Sequence, residues 1–108
     1  MQNENQPIMV YTTLPSEEDA ERVGGRLVDE RLAACVNIIP SMTAIYQWQG
    51  KRVREREAVM IIKTRAGKQA AVLKRAKELH PYDTPALLVL NVSGGNADFF
   101  DWIAEQTP

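Results

Sequence analysis

Leu32 to Ile39 reads Leu-Ala-Ala-Cys-Val-Asn-Ile-Ile, a nearly continuous run of apolar and small residues. Such a run suits a strand covered on both faces rather than one with a wet side. A second run of this kind, Leu87 to Val92, lies near the other end of the chain. Any fold must therefore cover two strands twice. The chain supplies 108 residues for this. That is one domain's worth, burying only about two-thirds of its unfolded surface when alone. Residues 1–108 are read as a single domain, with 1–7 a flexible N-terminal tail.

The remaining segments declare their type by period. Ile8 to Leu14 is short and β-prone, and Pro15-Ser16 stops it. Ser16 then suits an N-cap, with Glu17, Glu18 and Asp19 in the first turn, where the helix dipole favours negative charge. Ala20, Val23 and Leu27 follow at helical spacing, and the helix is expected to end near Arg31. Gly24-Gly25 inside it costs about 1 kcal/mol per glycine relative to alanine. The helix must therefore approach another backbone closely there, or bend. Pro40-Ser41 interrupts the first apolar run as a bulge or bend. Met42 to Trp48 then alternates, with Met42, Ala44, Tyr46 and Trp48 on one face. Gln49-Gly50-Lys51 is a turn, and Ala58 to Lys63 returns as a strand, closing a long hairpin. Ala66 to Leu79 is helical, ending at His80-Pro81 because the residue before proline avoids the helical region. Ser93 to Asn96 is a turn, and Asp98 to Gln106 is a last helix with Phe99, Trp102 and Ile103 inward.

The order β-α-β-β-α-β-α predicts an α+β fold, a ferredoxin-like βαββαβ sandwich with an extra C-terminal helix and a long β-hairpin. Helices in such a sandwich cover one sheet face, so the doubly apolar strands lack a second cover. From Ala33 to Gln49 the hairpin arm spans roughly 55 Å if straight, in a domain with a radius of gyration of about 13 Å. It must bend at Pro40, project, or both. A symmetric oligomer answers both difficulties.

Charge and cysteine content narrow the function. Thirteen Lys and Arg against fourteen Asp and Glu give a net charge of −1, so no basic excess exists for a phosphate backbone. No nucleic-acid partner is expected. One cysteine excludes an intramolecular disulfide framework and a thiolate-rich zinc site within one chain. The first six residues are polar and lack the basic-then-apolar order of a secretory signal. No stretch approaches the roughly 18 apolar residues of a membrane span. A cytoplasmic location with no membrane partner is expected.

Several segments together resemble one family. They are Val10-Tyr11-Thr12-Thr13-Leu14-Pro15, Leu32 to Pro40, Ile45-Tyr46-Gln47-Trp48-Gln49-Gly50-Lys51, Lys63-Thr64 and His80-Pro81-Tyr82-Asp83-Thr84-Pro85. In combination they are similar to the CutA divalent-cation tolerance family over nearly the whole chain. The resemblance implies a ferredoxin-like fold, a stable homotrimer with sheets packed edge to edge, and a link to copper and other divalent ions. In trimeric architecture that family is similar to the PII signalling proteins. Gln49 stands where the family usually carries Glu.

Candidate ligands are few. His80 is the only histidine and Cys35 the only thiol. Imidazole and thiolate both suit copper and zinc. His80 equally suits a structural place at a helix end, and a free cysteine in an apolar strand is more often buried packing. One histidine and one cysteine do not fill a four-coordinate site, so Glu57, Asp83 or a neighbouring subunit would have to contribute. A weak site for copper or another divalent cation, using His80, Cys35, Glu57 and Asp83, is the first expectation. No cofactor is otherwise required. The alternative is a PII-like signalling or scaffold trimer. It would bind a small anion in an inter-subunit cleft lined by Trp48, Glu57, Lys63 and Tyr82. The plainer reading of Glu57 and Lys63 is an inter-strand or inter-subunit ion pair. Lys51, Arg52, Arg54 and Arg56 at the hairpin tip read as a solvated, aggregation-blocking edge. A Ser-His-acid set from Ser41 or Ser93, His80 and Asp83 has no support in spacing, and no enzyme is expected.

Overall fold

A computed structural model describes residues 3–108. The strands are β1 (Pro7–Leu14), β2 (Cys35–Trp48), β3 (Lys51–Arg65) and β4 (Leu88–Asn91). The helices are α1 (Glu17–Asp29), α2 (Gln69–Leu79), entered through a short 3-10 turn (Ala66–Lys68), and α3 (Ala97–Gln106). The strands form one antiparallel sheet in the order β2-β3-β1-β4. β3 thus lies between β1 and β2, which is the split arrangement expected from the element order.

Ile8, Val10, Leu14, Ala58, Met60 and Ile62 point to one face and are almost fully buried. Ala20, Val23 and Leu27 from α1, and Val72 and Ala76 from α2, complete this core. Ser16 caps α1, its hydroxyl accepting from the Asp19 amide at 3.1 Å. Gly24 explains its presence at once. A Cβ there would stand 2.8 Å from both Met60 Sδ and Val36 Cγ2, so α1 lies directly on the sheet. Arg75 of α2 clasps Glu30 at the end of α1, at 2.9 and 3.0 Å. The guanidinium holds the Glu30 carboxyl below its usual range.

The other sheet face is only partly covered. Ile39 is 49 % exposed, Leu88 57 % and Leu90 46 %. These belong to the runs expected to be covered twice, and both lie on edge strands. Within one chain the second cover is missing. α3 packs against β3, placing the Phe99 ring 5.5 Å from Lys63 Nζ. Of its three residues expected to face inward, only Ile103 is buried. Phe99 and Trp102 stack on each other at 5.6 Å and stay more than a third exposed.

The hairpin both bends and projects. β2 gains one residue over β3 between Ile39 and Met42, a bulge at Pro40-Ser41. The molecule is 44 Å long and 26 Å wide, with a radius of gyration of 14.5 Å. The turn is two residues, Gln49 and Gly50, with φ of 50° and 79°. That is the left-handed pair required by a tight hairpin turn. β3 begins at Lys51, well before the expected Ala58, because Lys51 to Glu57 pairs with the arm although it carries no apolar period.

Of the tail expected over residues 1–7, residues 1 and 2 lie outside the described residues. Beyond them the segment makes backbone hydrogen bonds to the body. The Ala66 amide donates to Gln6 at 2.8 Å, the Gly67 amide to Glu4 at 2.8 Å, and Pro7 already belongs to β1. Among the described residues no helix is long and apolar enough to cross a membrane.

Candidate functional site

The two-residue turn sets the register of the arm, and the register sets its faces. Trp48 opposes Lys51, Tyr46 opposes Val53, Ala44 opposes Glu55 and Met42 opposes Glu57. These side chains share one face of the ribbon. Thr43, Ile45 and Gln47 oppose Arg56, Arg54 and Arg52 on the other. One side of the arm is thus aromatic and acidic, with Lys51 at its tip, and the other is basic.

The loop after α2 closes over the first side. His80, only 7 % exposed, anchors it. The Tyr82 amide donates to His80 Nδ1 at 3.1 Å, so Nδ1 carries no proton. His80 Nε2–H then donates to the Thr13 carbonyl at 2.8 Å, with the Thr12 hydroxyl at 3.3 Å. Burial pushes the imidazole pKa down from its ordinary value, against the opposing pull of the Thr13 carbonyl. His80 is therefore a neutral clamp between β1 and the loop, with both nitrogens occupied.

The clamp delivers Tyr82 to the arm. Its hydroxyl donates to Glu57 Oε2 at 2.8 Å. Burial and the Glu57 carboxylate together push the Tyr82 phenol far above its ordinary pKa. Glu55 beside Tyr46 raises that phenol as well. Between arm and loop lies an open cleft of about 650 Å³. Tyr46, Trp48 and Val53 line its arm side, with Glu55 and Glu57. Tyr82, Asp83 and Thr84 line its loop side. No Lys or Arg is among its lining residues.

The expected site residues divide accordingly. Trp48, Glu57, Tyr82 and Asp83 meet at this cleft. Lys63 does not. Within one chain it pairs with Cys35 across the sheet and reaches Phe99 instead, so the cleft of a single chain has no cation in its lining. Within one chain no Glu57–Lys63 ion pair forms, because residues that far apart along β3 stand roughly 20 Å from each other. Cys35 is as distant from Glu57 as Lys63 is, and His80 is closed by its own hydrogen bonds. Among the described residues no three His, Cys, Asp or Glu side chains stand close enough to hold one metal ion. The four expected ligands are therefore not brought together within the chain. Neither is the paper triad, since His80 is committed to backbone and the Ser41 hydroxyl accepts from Arg56 at 3.0 Å. A dehydrated copper or zinc site does not fit these residues. Carboxylates without imidazole or thiolate do fit a hydrated divalent ion.

Glu55 and Tyr46 were not among the expected site residues. The signal was available, because counting back from a two-residue turn at 49–50 puts both on the face of Trp48 and Glu57.

Comparison with known proteins places this geometry in context. The model of a family described as CutA1 divalent ion tolerance protein matches residues 8–106. The Divalent-cation tolerance protein CutA of Thermus thermophilus is 43% identical over 99 residues, covering 92% of this chain and 96% of the relative. Protein CutA 1, chloroplastic, of Oryza sativa is 39% identical over 100 residues, covering 93% of this chain and 56% of that protein. The solved structure of the periplasmic divalent cation tolerance protein CutA from Archaeoglobus fulgidus superposes with a TM-score of 0.91 at 39% identity. That match covers 94% of this chain and 99% of the other.

Proposed function

The chain belongs to the CutA1 divalent ion tolerance family, and we propose that it serves that tolerance as a cytoplasmic, non-enzymatic homotrimer holding divalent cations, copper among them, weakly in its acidic cleft. The observation that carries this reading is the charge of the cleft. Glu55, Glu57 and Asp83 line it, spread too far apart to ligate one ion directly, and no lysine or arginine lines it. A hydrated dication is attracted by such a lining without losing its water, which makes binding weak and reversible. The trimer is supported by the uncovered apolar residues Ile39, Leu88 and Leu90 and by the open edges of β2 and β4. The absence of catalysis is supported by the one histidine being clamped at both nitrogens. A small anion, the PII-like alternative, has no cation to meet in this lining.

Equilibrium dialysis against Cu²⁺ and Zn²⁺ tests the cleft. Wild-type protein is expected to bind, and the Glu55→Gln, Glu57→Gln, Asp83→Asn triple variant to lose that binding. Undiminished binding by the triple variant removes the cleft from the function. Light scattering is expected to give the mass of three chains, and a stable monomer contradicts the assembly.

A further inference from the structure

Carboxylates alone do not account for this cleft. Its volume of about 650 Å³ is that of a small-molecule site rather than of an ion. Three of its walls are aromatic rings, Tyr46, Trp48 and Tyr82. Trp48 sits on a projecting arm with 61 % of its surface exposed and Tyr46 with 38 %. Glu57 beneath them is only 8 % exposed. Its carboxylate takes one hydrogen bond, from Tyr82, and forms no ion pair among the described residues. A carboxylate so deeply placed is costly without a counter-cation.

Resting on the reading of the cleft as a cation site, we propose that its ligand class is a small organic cation, an ammonium or guanidinium, with Glu57 as counter-ion and the rings of Tyr46, Trp48 and Tyr82 as its walls. Hydration decides between the ligands. A divalent metal ion keeps its water and gains little from a ring face. An alkylammonium or guanidinium is weakly hydrated, lies on aromatic faces and meets the carboxylate at the same time. Glu55 and Asp83 at the rim add attraction for a second positive end, so a diamine fits better than a monoamine. The same chemistry has a second source. Arg52, Arg54 and Arg56 line the opposite face of the arm, and a neighbouring copy can present one of them. The three separate carboxylates of the lining, Glu55, Glu57 and Asp83, favour a free ligand with more than one positive end, because a single neighbouring guanidinium answers only one of them.

The test uses the full chain with Trp102→Phe, which leaves Trp48 as the sole tryptophan reporter. Tetramethylammonium and 1,4-diaminobutane are titrated in against sodium chloride of equal ionic strength. The expected result is a saturable change in Trp48 fluorescence, tighter for the diamine, weakened about ten-fold or more by Glu57→Gln. Glutamine keeps an acceptor for Tyr82, so the loop stays in place. Zn²⁺ is titrated in parallel by calorimetry. Zinc binding without any response to either organic cation overturns this inference and leaves the cation-site reading standing. No binding of either kind overturns both. A response seen only after Arg54→Gln means that a neighbour's guanidinium fills the cleft, and overturns the free ligand.

Discussion

Adjacent glycines in α1 face opposite consequences from the same substitution. In the helix interior, replacing glycine by alanine favours folding by about 1 kcal/mol through backbone entropy. Gly25 is exposed, and a Cβ there meets nothing within 4 Å, so Gly25→Ala gains that amount. A Cβ on Gly24 meets Met60 Sδ and Val36 Cγ2, each at 2.8 Å. Met60 is fully buried and cannot swing to solvent. Val36 is β-branched and fixed by its strand, so it has no easier rotamer. Overpacking of this kind costs about 1–3 kcal/mol. Gly24→Ala is therefore expected to lie between neutral and about 2 kcal/mol destabilising. The gap between the two variants is the overpacking cost itself, about 1–3 kcal/mol. Urea unfolding followed by far-UV circular dichroism reads both, at one protomer concentration because assembly shifts apparent stability. If Gly24→Ala proves as stabilising as Gly25→Ala, α1 does not press on the sheet at Met60 and Val36.

Three further outcomes follow from the site and the uncovered face. His80 is held neutral by burial, while in the unfolded chain it takes up a proton below its ordinary pKa of 6.5. The unfolded state then binds more protons, so stability is full above 6.5 and falls as pH drops below it. Denaturant midpoints across pH should show a steeper acid-side fall in wild type than in His80→Gln, and equal slopes would refute the clamp. Tyr82→Phe removes the only hydrogen-bond donor to Glu57 among the described residues and should cost about 1–3 kcal/mol in urea unfolding. An unchanged midpoint would show that Glu57 needs no donor. Leu90→Glu places charge on the exposed apolar face and should shift light scattering toward the monomer, whereas an unchanged mass would exclude that face from the assembly.

Much of the fold was legible in the sequence because period and punctuation agree. The element order, the Ser16 cap and the bulge at Pro40-Ser41 were expected on local grounds, and the structure has them; at Gly24-Gly25, where approach to another backbone or a bend was expected, only Gly24 is pressed, and by the side chains of Met60 and Val36. Element bounds failed where local grounds are silent. Lys51 to Glu57 carries a single apolar residue, Val53, so nothing in its period announced a strand. Its pairing with β2 makes it one. Phe99 and Trp102 read as inward because they follow helical spacing, yet one chain offers them only each other and Lys63.

The site was legible in part for a different reason. Trp48, Glu57, Tyr82 and Asp83 come together because the hairpin register and the His80-Pro81 break are both local signals. The roles of His80 and Lys63 depend on what surrounds them in space. His80 looked like a ligand because imidazole binds metals, but its partners come from β1, far away in the chain. Lys63 shares a strand face with Glu57, but the length of the strand separates them.

The central claim is that the cleft selects by charge sign. One calorimetric series tests it, titrating Zn²⁺ and citrate into separate samples of metal-free wild-type protein at low ionic strength. The account predicts saturable heat for Zn²⁺, lost in the Glu55→Gln, Glu57→Gln, Asp83→Asn variant, and none for citrate. Saturable citrate binding with no response to Zn²⁺ would contradict it.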